Sequence, residues 1–188
     1  MSRIEKLFTG LNLSTRSRGT ILRILQIFCF QKYEKIEKLK DILKHKTSKE
    51  IYDAIKLPKR ATKGSAGYDF YAPYSFVLAP GETVTIPTGI RVKMNPSWVL
   101  TIFPRSGLGF KYRLQLNNTV GIIDSDYFYS DNEGHMFIKL TNDSKENKTL
   151  SINQGEGFAQ GIFFTYGITE DDSTSETRNG GFGSTSKK

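Results

Sequence analysis

Two carboxylates follow directly after an apolar run in the segment GIIDSDY, from Gly121 to Tyr127. Asp124 and Asp126 stand where a buried strand should end, so their side chains are partly screened from water. A carboxylate in that setting can hold a water molecule and accept its proton as a general base. The ring of Tyr127 can pack flat against a sugar. The same residue types are equally typical of a polar turn that closes a hairpin.

Two glycine-containing segments have the composition of anion-binding turns: FPRSGLGFK at 103–111 and RNGGFGSTS at 178–186. Each combines an Arg, a hydroxyl side chain and accessible backbone amides, the groups that form a cradle for phosphate oxygens. The second also contains Phe182, whose ring can stack on a planar base. One such segment is usually a solvated loop, but two in one chain indicate a nucleoside phosphate. Neither is a Walker loop, and no GxGxxG follows a predicted strand.

Two further polar side chains interrupt apolar strands. Asp69 lies among aromatic residues in AGYDFYA, and Gln160 lies inside GFAQGIFF. Polar residues in such positions are most often structural groups whose hydrogen bonds are satisfied. Asp69 can also act as an outer-sphere partner of a hydrated magnesium ion.

The chain has the length and composition of one ordinary globular domain with an extension. It contains 188 residues, of which 37% are hydrophobic and 24% charged, enough for a sizeable core. Its single cysteine, Cys29, cannot form an internal disulfide. One cysteine and two distant histidines, His45 and His135, argue against a structural zinc site.

The positive charge is concentrated at the N-terminus. Residues 1–50 contain 12 Lys and Arg against 5 Asp and Glu, whereas the rest of the chain contains 15 against 14. Because the body of the protein is nearly neutral, it is not expected to bind nucleic acid.

Apolar residues recur at helical spacing through 20–43, as in Ile21, Ile24 and Phe28. This spacing predicts one or two amphipathic helices, which either pack on the main domain or present a partner-binding or membrane-surface face. The apolar run is too short to span a membrane, and we expect a cytoplasmic protein. The alternative location is mitochondrial, since residues 1–30 are amphipathic, contain Arg and have one acidic residue.

From Ala66 onward the helical period disappears, and short apolar runs alternate with turn residues. Runs such as YDFYA, TVTIPTGIRVKM and HMFIKL are separated by turns such as APGE, NPS and NQGEG. This pattern predicts an all-β sandwich or barrel, and the polar, glycine-rich tail predicts a flexible arm. We therefore divide the chain into a basic helical extension (1–50), a β domain (51–168) and a C-terminal arm (169–188).

Five short segments, in this order, resemble the motifs of the trimeric dUTP pyrophosphatase (dUTPase) family: AGYDFYA, PRSGLGFK, GIIDSDY, GFAQGIFF and RNGGFGSTS. The resemblance extends from about Ile51 to the C-terminus. It implies a β jelly roll that assembles as a homotrimer with active sites at subunit interfaces. It also implies Mg²⁺-assisted hydrolysis of dUTP to dUMP and pyrophosphate, which limits uracil incorporation into DNA and supplies dUMP for dTTP synthesis.

The resemblance implies roles for five residues around the nucleoside. Asp124 would be the general base that activates the water attacking the α-phosphorus. Tyr127 would pack beneath the deoxyribose and exclude a 2′-hydroxyl. Asn118 and backbone groups around Ile123 would contact uracil, and Phe182 of the arm would stack over it.

The resemblance implies a second set of residues around the phosphates and the metal. Asp69 would hold magnesium-bound waters, and Gln160 would contact a phosphate and a water. The turn that contains Arg105 would come from a neighbouring subunit. The residues implied to contact phosphates or the phosphate-binding end of the nucleotide are Arg105, Ser106, Gly107, Gln160, Arg178, Gly183, Ser184 and Thr185.

The chain departs from the family pattern at three places. Arg178 precedes Phe182 by four residues, one fewer than in many family members. The Arg usual at the start of the fourth motif is replaced around Glu156 to Phe158. The hairpin after Tyr127 is longer than usual, which leaves the uracil contact from the far strand, assigned to Phe137, as an open question.

Two other functions remain open from the sequence. One is a dCTP deaminase-like enzyme of related fold, against which the GIIDSDY and GGFGSTS segments favour dUTP hydrolysis. The other is a non-catalytic nucleotide-binding or signalling protein whose N-terminal helices contact a partner. The presence of Asp124 and Tyr127 argues against a loss of catalysis.

Overall fold

The computed structural model describes residues 28–34, 47–176 and 178–181. Within these residues the chain forms short strands, two helices and one 3₁₀ helix. In chain order the elements are β1 (Phe28–Lys32), α1 (Ser48–Ala54), β2 (Lys59–Arg60), β3 (Tyr68–Tyr71), β4 (Phe76–Leu78), β5 (Thr83–Pro87), β6 (Ile90–Met94), β7 (Trp98–Pro104), α2 (Ser106–Tyr112), β8 (Leu114–Leu116), β9 (Gly121–Ile123), the 3₁₀ helix (Ser125–Tyr129), β10 (Phe137–Asn142), β11 (Leu150–Ile152) and β12 (Gly157–Thr165).

The strands of the described residues are arranged in antiparallel sheets, so the predicted all-β fold is confirmed. The largest sheet has the strand order β2-β3-β12-β7-β9, and a second has the order β5-β10-β8. Two further pairs, β1-β6 and β11-β4, complete the arrangement. Neighbours in these sheets are mostly distant in sequence, which is typical of sandwich and jelly-roll folds.

The core lies between the sheets and follows from the alternation of side chains along each strand. In β10, for example, Ile138 and Leu140 are buried whereas Lys139 between them is exposed. Successive side chains of a strand point to opposite faces, so one apolar face of each strand is available for packing. Leu100 and Phe158 contribute fully buried side chains from β7 and β12.

The central strand β12 brings together polar residues that are far apart in sequence. It pairs with β3 so that Gln160 lies opposite Asp69. On its other side it pairs with β7, which ends at Pro104 immediately before the turn with Arg105. The same β7 pairs with β9, and Leu100 lies opposite Ile123 there. One sheet therefore positions four of the five motif segments.

The helical prediction for residues 20–43 is wrong at Phe28–Lys32, which forms strand β1 and pairs antiparallel with β6. The ring of Phe30 lies 5.4 Å from that of Tyr68 and 5.6 Å from that of Phe163. The open edge of β6 supplies backbone partners and the aromatic cluster buries Phe30, and this tertiary context outweighs the local helical spacing. The division of the chain at residue 50 stays a prediction.

Other N-terminal predictions lie partly outside the described residues. The segments 1–27 and 35–46, which contain most of the predicted amphipathic helices and of the presequence-like region, are not among them. Helix α1 begins after Thr47, which forms a reciprocal capping box with Glu50. Among the residues that are described, no helix is both long and apolar enough to cross a membrane.

Candidate active site

A cavity of about 810 Å³ opens between β9, β10 and the 3₁₀ helix. It will be called the central cavity. Predicted site residues from three separate segments line it: Asn118, Ile123, Asp124, Tyr127 and Arg178. Phe137 of β10, the open assignment on the far strand, lines it as well. The described part of a single chain thus brings together four of the five residues expected around the nucleoside, together with Arg178.

Asp124 occupies the junction between strand β9 and the 3₁₀ helix. Its backbone is extended (φ −77°, ψ 158°), and its side chain makes no capping hydrogen bond to the helix. The carboxylate instead accepts a hydrogen bond from Arg178. The sequence prediction of a hairpin at this point is corrected, because Ser125–Tyr129 forms a helical turn before the chain returns in β10. This turn brings Tyr127 beneath the same cavity.

Arg178 connects the described end of the C-terminal arm to both acidic residues of GIIDSDY. Its Nη2 donates to Asp124, and its Nε donates to Asp126 at 2.9 Å. Both pairs are charge-assisted hydrogen bonds at a partly exposed site. Asp126 therefore helps to hold the arginine beside Asp124.

Tyr127 is buried, and both functions of its hydroxyl group are satisfied. The Tyr127 hydroxyl donates to the carbonyl oxygen of His135 at 2.8 Å and accepts from Nδ2 of Asn132 at 2.7 Å. Burial raises the pKa of the Tyr127 phenol, and the hydrogen bond from Asn132 partly opposes that shift. A Cβ atom at Gly181 would come within 2.7 Å of Cε2 of Tyr127, so the arm approaches the ring at a glycine.

Much of the lining of the central cavity is apolar. Leu116, Met136 and Ile138 belong to it together with the residues of β9. Asn118 enters from the turn between β8 and β9, where the Val120 amide donates to the Asn118 carbonyl oxygen at 2.7 Å. An apolar slot with a few fixed hydrogen-bonding groups at its rim is a shape that suits a planar base.

The remaining predicted residues form a second group, which will be called the Arg105 cluster: Asp69, Arg105, Ser106, Gly107 and Gln160. Nε of Arg105 forms an ion pair with Asp69 at 3.2 Å, and its Nη1 donates to the Gly157 carbonyl oxygen at 3.3 Å. Nε2 of Gln160 donates to the carbonyl oxygen of Pro104 at 3.1 Å. None of the Arg105 cluster lines the central cavity of its own chain.

Ser106 and Gly107 form the start of helix α2, directly after Arg105. Both residues are exposed, and a Cβ atom at Gly107 would meet no other atom within 4 Å. The turn is therefore accessible from outside the chain. Phe182, Gly183, Ser184 and Thr185 lie outside the described residues, and their roles stay predictions.

Two features of the site were missed by reasoning from the sequence. Asn132 lines the central cavity and binds the Tyr127 hydroxyl, and Gly181 packs against the same ring. The only signal for Asn132 was the length of the segment between Tyr127 and β10, which does not indicate which polar residue turns inward. Gly181 lies in the segment RNGGFGSTS, but in that segment the contact with the nucleoside was assigned to its neighbour Phe182.

The family model for dUTPase matches residues 53–186 of this chain, which includes both groups of residues. The chain belongs to the dUTPase family. A deoxyuridine 5′-triphosphate nucleotidohydrolase of Lactococcus lactis is 43% identical over 134 residues, covering 70% of this chain and 88% of the relative. One from Tolumonas auensis is 43% identical over 139 residues, covering 70% and 87%.

Solved dUTPase structures share the fold. The crystal structure of dUTPase from Streptococcus mutans matches with a TM-score of 0.55 and 35% identity, over 63% of this chain and 91% of that one. A mutant dUTPase from phage phi11 of S. aureus matches with a TM-score of 0.57 at 20% identity, over 79% and 97%. That structure reveals the coordination of a structural Mg(II) ion in the phage protein. The predicted dUTPase-like β fold is thereby confirmed.

Proposed function

We propose that the central cavity binds dUTP and that Asp124 is the general base in its hydrolysis to dUMP and pyrophosphate. The observation that carries this proposal is that the Asp124 carboxylate lines the same cavity as Tyr127, three residues along a helical turn. The deprotonated carboxylate would accept a proton from a water molecule whose oxygen attacks the α-phosphorus. The α–β bridging oxygen then leaves with pyrophosphate.

The shape of the central cavity supports a deoxyuridine. Uracil would lie against the apolar part of the lining, with its polar edge toward Asn118 and the backbone around Ile123. The deoxyribose would rest on the ring of Tyr127. A ribose would place its 2′-hydroxyl against that ring, where the hydroxyl would lose water without gaining a partner, and burial of an unpaired hydroxyl is costly.

The triphosphate would replace Asp124 and Asp126 as the binding partner of the Arg178 guanidinium. In the described chain this guanidinium is bound to Asp124 and Asp126. Phosphate oxygens carry more charge than the two carboxylates and match the planar fork of an arginine. The transfer of Arg178 to the phosphates would leave Asp124 available to a water molecule. Residues 182–185 of the arm would then cover the nucleotide, as the resemblance implies.

Magnesium would be held mainly by the substrate and by water. The described residues contain no group of three or more His, Cys, Asp or Glu that could hold a metal ion alone. Mg²⁺ commonly binds through one or two carboxylates together with substrate phosphates and waters, and Asp69 fits the role of a carboxylate that holds such waters. The bound ion would neutralise part of the triphosphate charge and orient the chain of phosphates.

A homotrimer would bring the Arg105 cluster of one subunit next to the central cavity of its neighbour. Arg105, Ser106 and Gly107 are exposed, and no residue of the Arg105 cluster lines the central cavity of its own chain. In a closed ring of identical subunits, the same exposed turn can face the neighbour's cavity at each interface. We therefore propose that Arg105, Ser106 and Gly107 contact the phosphates bound by the adjacent subunit.

The test is pyrophosphate release with Mg²⁺ from dUTP, measured beside dTTP, dCTP and UTP, with ammonia release from dCTP followed in parallel. The expected result is rapid release from dUTP alone. Equal release from UTP would contradict the role of Tyr127, and ammonia from dCTP would favour the deaminase alternative. Binding of dUTP without pyrophosphate release would indicate a non-catalytic protein on this fold.

A further inference from the structure

We infer that Asn132 is a positioning residue that orients Tyr127 and thereby determines how strongly the protein discriminates between deoxyribose and ribose. This inference rests on the proposed position of the sugar on Tyr127. Asn132 belongs to the segment between the 3₁₀ helix and β10, which will be called the insert (Ser130–His135). The insert lies in the segment after Tyr127 that, by the resemblance, is longer than usual.

All hydrogen-bonding groups of the Asn132 side chain are used. Its Oδ1 accepts from the Ser130 hydroxyl at 2.8 Å and from the Gly134 amide at 3.1 Å. Its Nδ2 donates to the Tyr127 hydroxyl at 2.7 Å and to the His135 carbonyl oxygen at 3.2 Å. An asparagine side chain has two acceptor sites and two donors, so the group is saturated.

The partners also define which way the amide faces. A backbone amide can only donate, so the atom that meets the Gly134 amide must be the oxygen of Asn132. The nitrogen is consequently directed at the Tyr127 hydroxyl. Aspartate has nearly the same shape but offers only acceptors when ionised, so it removes the two donated hydrogen bonds. Its carboxylate also competes with the His135 carbonyl oxygen for the Tyr127 hydroxyl hydrogen and lies against that carbonyl oxygen, so the substitution disturbs the way in which the Tyr127 hydroxyl is held.

The insert is built so that Asn132 reaches Tyr127. Gly134 adopts a positive φ of 75°, and a Cβ atom there would come within 2.7 Å of Cα of Phe128. A side chain at position 134 would push the insert away from the 3₁₀ helix. Ser130 is buried, and its single hydroxyl hydrogen is shared between Oδ1 of Asn132 at 2.8 Å and the Tyr127 carbonyl oxygen at 2.7 Å. Both contacts keep the insert packed against the 3₁₀ helix, with Asn132 in reach of the Tyr127 hydroxyl.

The consequence for recognition comes from the position of the Tyr127 ring. Its hydroxyl end is held by Asn132 and by the His135 carbonyl oxygen, whereas its ring lies at the wall of the central cavity. Discrimination against a hydroxyl group depends on how rigidly the excluding surface is held, because a ring that can tilt makes room for the added atom. Loss of the Asn132 donor should therefore affect the selection of the sugar more than the chemistry at phosphorus.

The experiment compares the ratio of kcat/KM for dUTP to that for UTP in four proteins: wild type, Asn132→Asp, Tyr127→Phe and the double variant. We expect Asn132→Asp to lower the ratio by about threefold to tenfold, the effect of one hydrogen bond. In the Tyr127→Phe background there is no hydroxyl to hold, so the same substitution should change the ratio far less. This non-additivity is what a purely structural role of Asn132 would not produce.

A matched control is Asn147→Asp, which makes the same change at an exposed position that does not line the central cavity. It should leave the ratio unchanged. Thermal melting before the kinetics identifies variants that do not fold. If Asn132→Asp is one of them, Ser130→Ala takes its place in the cycle, since it loosens Asn132 and leaves the amide present.

The outcomes separate this inference from the proposed function. A wild-type protein that hydrolyses UTP as well as dUTP would overturn the role of Tyr127 and this inference with it. A wild-type preference for dUTP combined with strictly additive substitutions, or with equal losses of kcat/KM for both nucleotides, would overturn the role of Asn132 alone. A loss of discrimination in Asn132→Asp that disappears in the Tyr127→Phe background supports it.

Discussion

Arg178 and Asp126 form an ion pair with 2.9 Å between Nε and Oδ1, although 52 residues separate them in sequence. The same guanidinium also binds Asp124. One cation of the C-terminal arm therefore pairs with two carboxylates, of which Asp124 lines the central cavity. Arg178 lies in the lining of that cavity, so a triphosphate bound there, as proposed, would compete with the two carboxylates for its guanidinium.

Replacement of Asp124 by Asn should reduce kcat for dUTP by about 10²–10⁴-fold, the usual contribution of a general base. The amide cannot accept the proton of the attacking water but keeps the shape of the side chain. Binding of dUTP, measured by calorimetry, should persist. The matched control is Asp126→Asn, which removes one neighbouring carboxylate and should change kcat by less than about tenfold, because exposed ion pairs contribute little. Unchanged turnover in Asp124→Asn would refute the assignment of the base.

Mixing of two inactive variants should restore activity if the Arg105 cluster serves the neighbour's cavity. Arg105→Ala and Asp124→Asn each disable one component of the site. After subunits are unfolded together and reassembled in equal amounts, about a quarter of the sites in a ring should combine an intact Asp124 with an intact Arg105. Pyrophosphate release would report the recovery. Lack of recovery, with mixed assemblies verified by native mass spectrometry, would mean that both residues act from one chain.

Truncation of Phe30 to Ala should destabilise the protein by about 2 kcal/mol, since a half-buried aromatic side chain contributes less than a fully buried one. Its ring contacts Tyr68, Phe70 and Phe163 of the large sheet. Urea unfolding measures the change. A deletion of residues 1–27, which leaves β1 intact, serves as the comparison and should have a smaller effect. Equal stability of Phe30→Ala and wild type would show that β1 is dispensable for the fold.

Stability should fall at alkaline pH, in part through Tyr127. Its pKa is raised above the ordinary value because the phenol is buried. In the unfolded chain the tyrosine phenol ionises near pH 10. The contribution of the buried, neutral phenol to folding stability is therefore complete below about pH 10 and is lost as the pH rises toward the raised pKa of the folded state. The free energy of unfolding, measured with urea between about pH 8 and 11, should therefore decline less steeply with pH in Tyr127→Phe than in the wild type. Tyr129→Phe, which removes an exposed phenol, should retain the wild-type slope.

Much of the β domain was predictable from local patterns. Alternating apolar residues and turn signals indicated an all-β fold, and β10 and β12 overlap predicted apolar runs for most of their length. The prediction was wrong where two patterns competed. Phe28–Lys32 continues a helical spacing, but its pairing with β6 and the burial of Phe30 outweigh that preference. A strand at a sheet edge depends on a partner that is distant in sequence, and no local window contains that information.

By itself, the sequence determined the chemical types and order of the motifs, and with them the family and the candidates Asp124, Tyr127 and Arg178. Only the tertiary structure decided which of these meet. It separated the Arg105 cluster from the central cavity, paired Arg178 with both carboxylates, and directed Asn132 at the Tyr127 hydroxyl. The physical reason is that hydrogen bonds and ion pairs depend on distance and direction. Strand pairing and chain reversal determine the distance and direction between groups that are tens of residues apart in sequence. The residue types alone determine only which hydrogen bonds and ion pairs are possible.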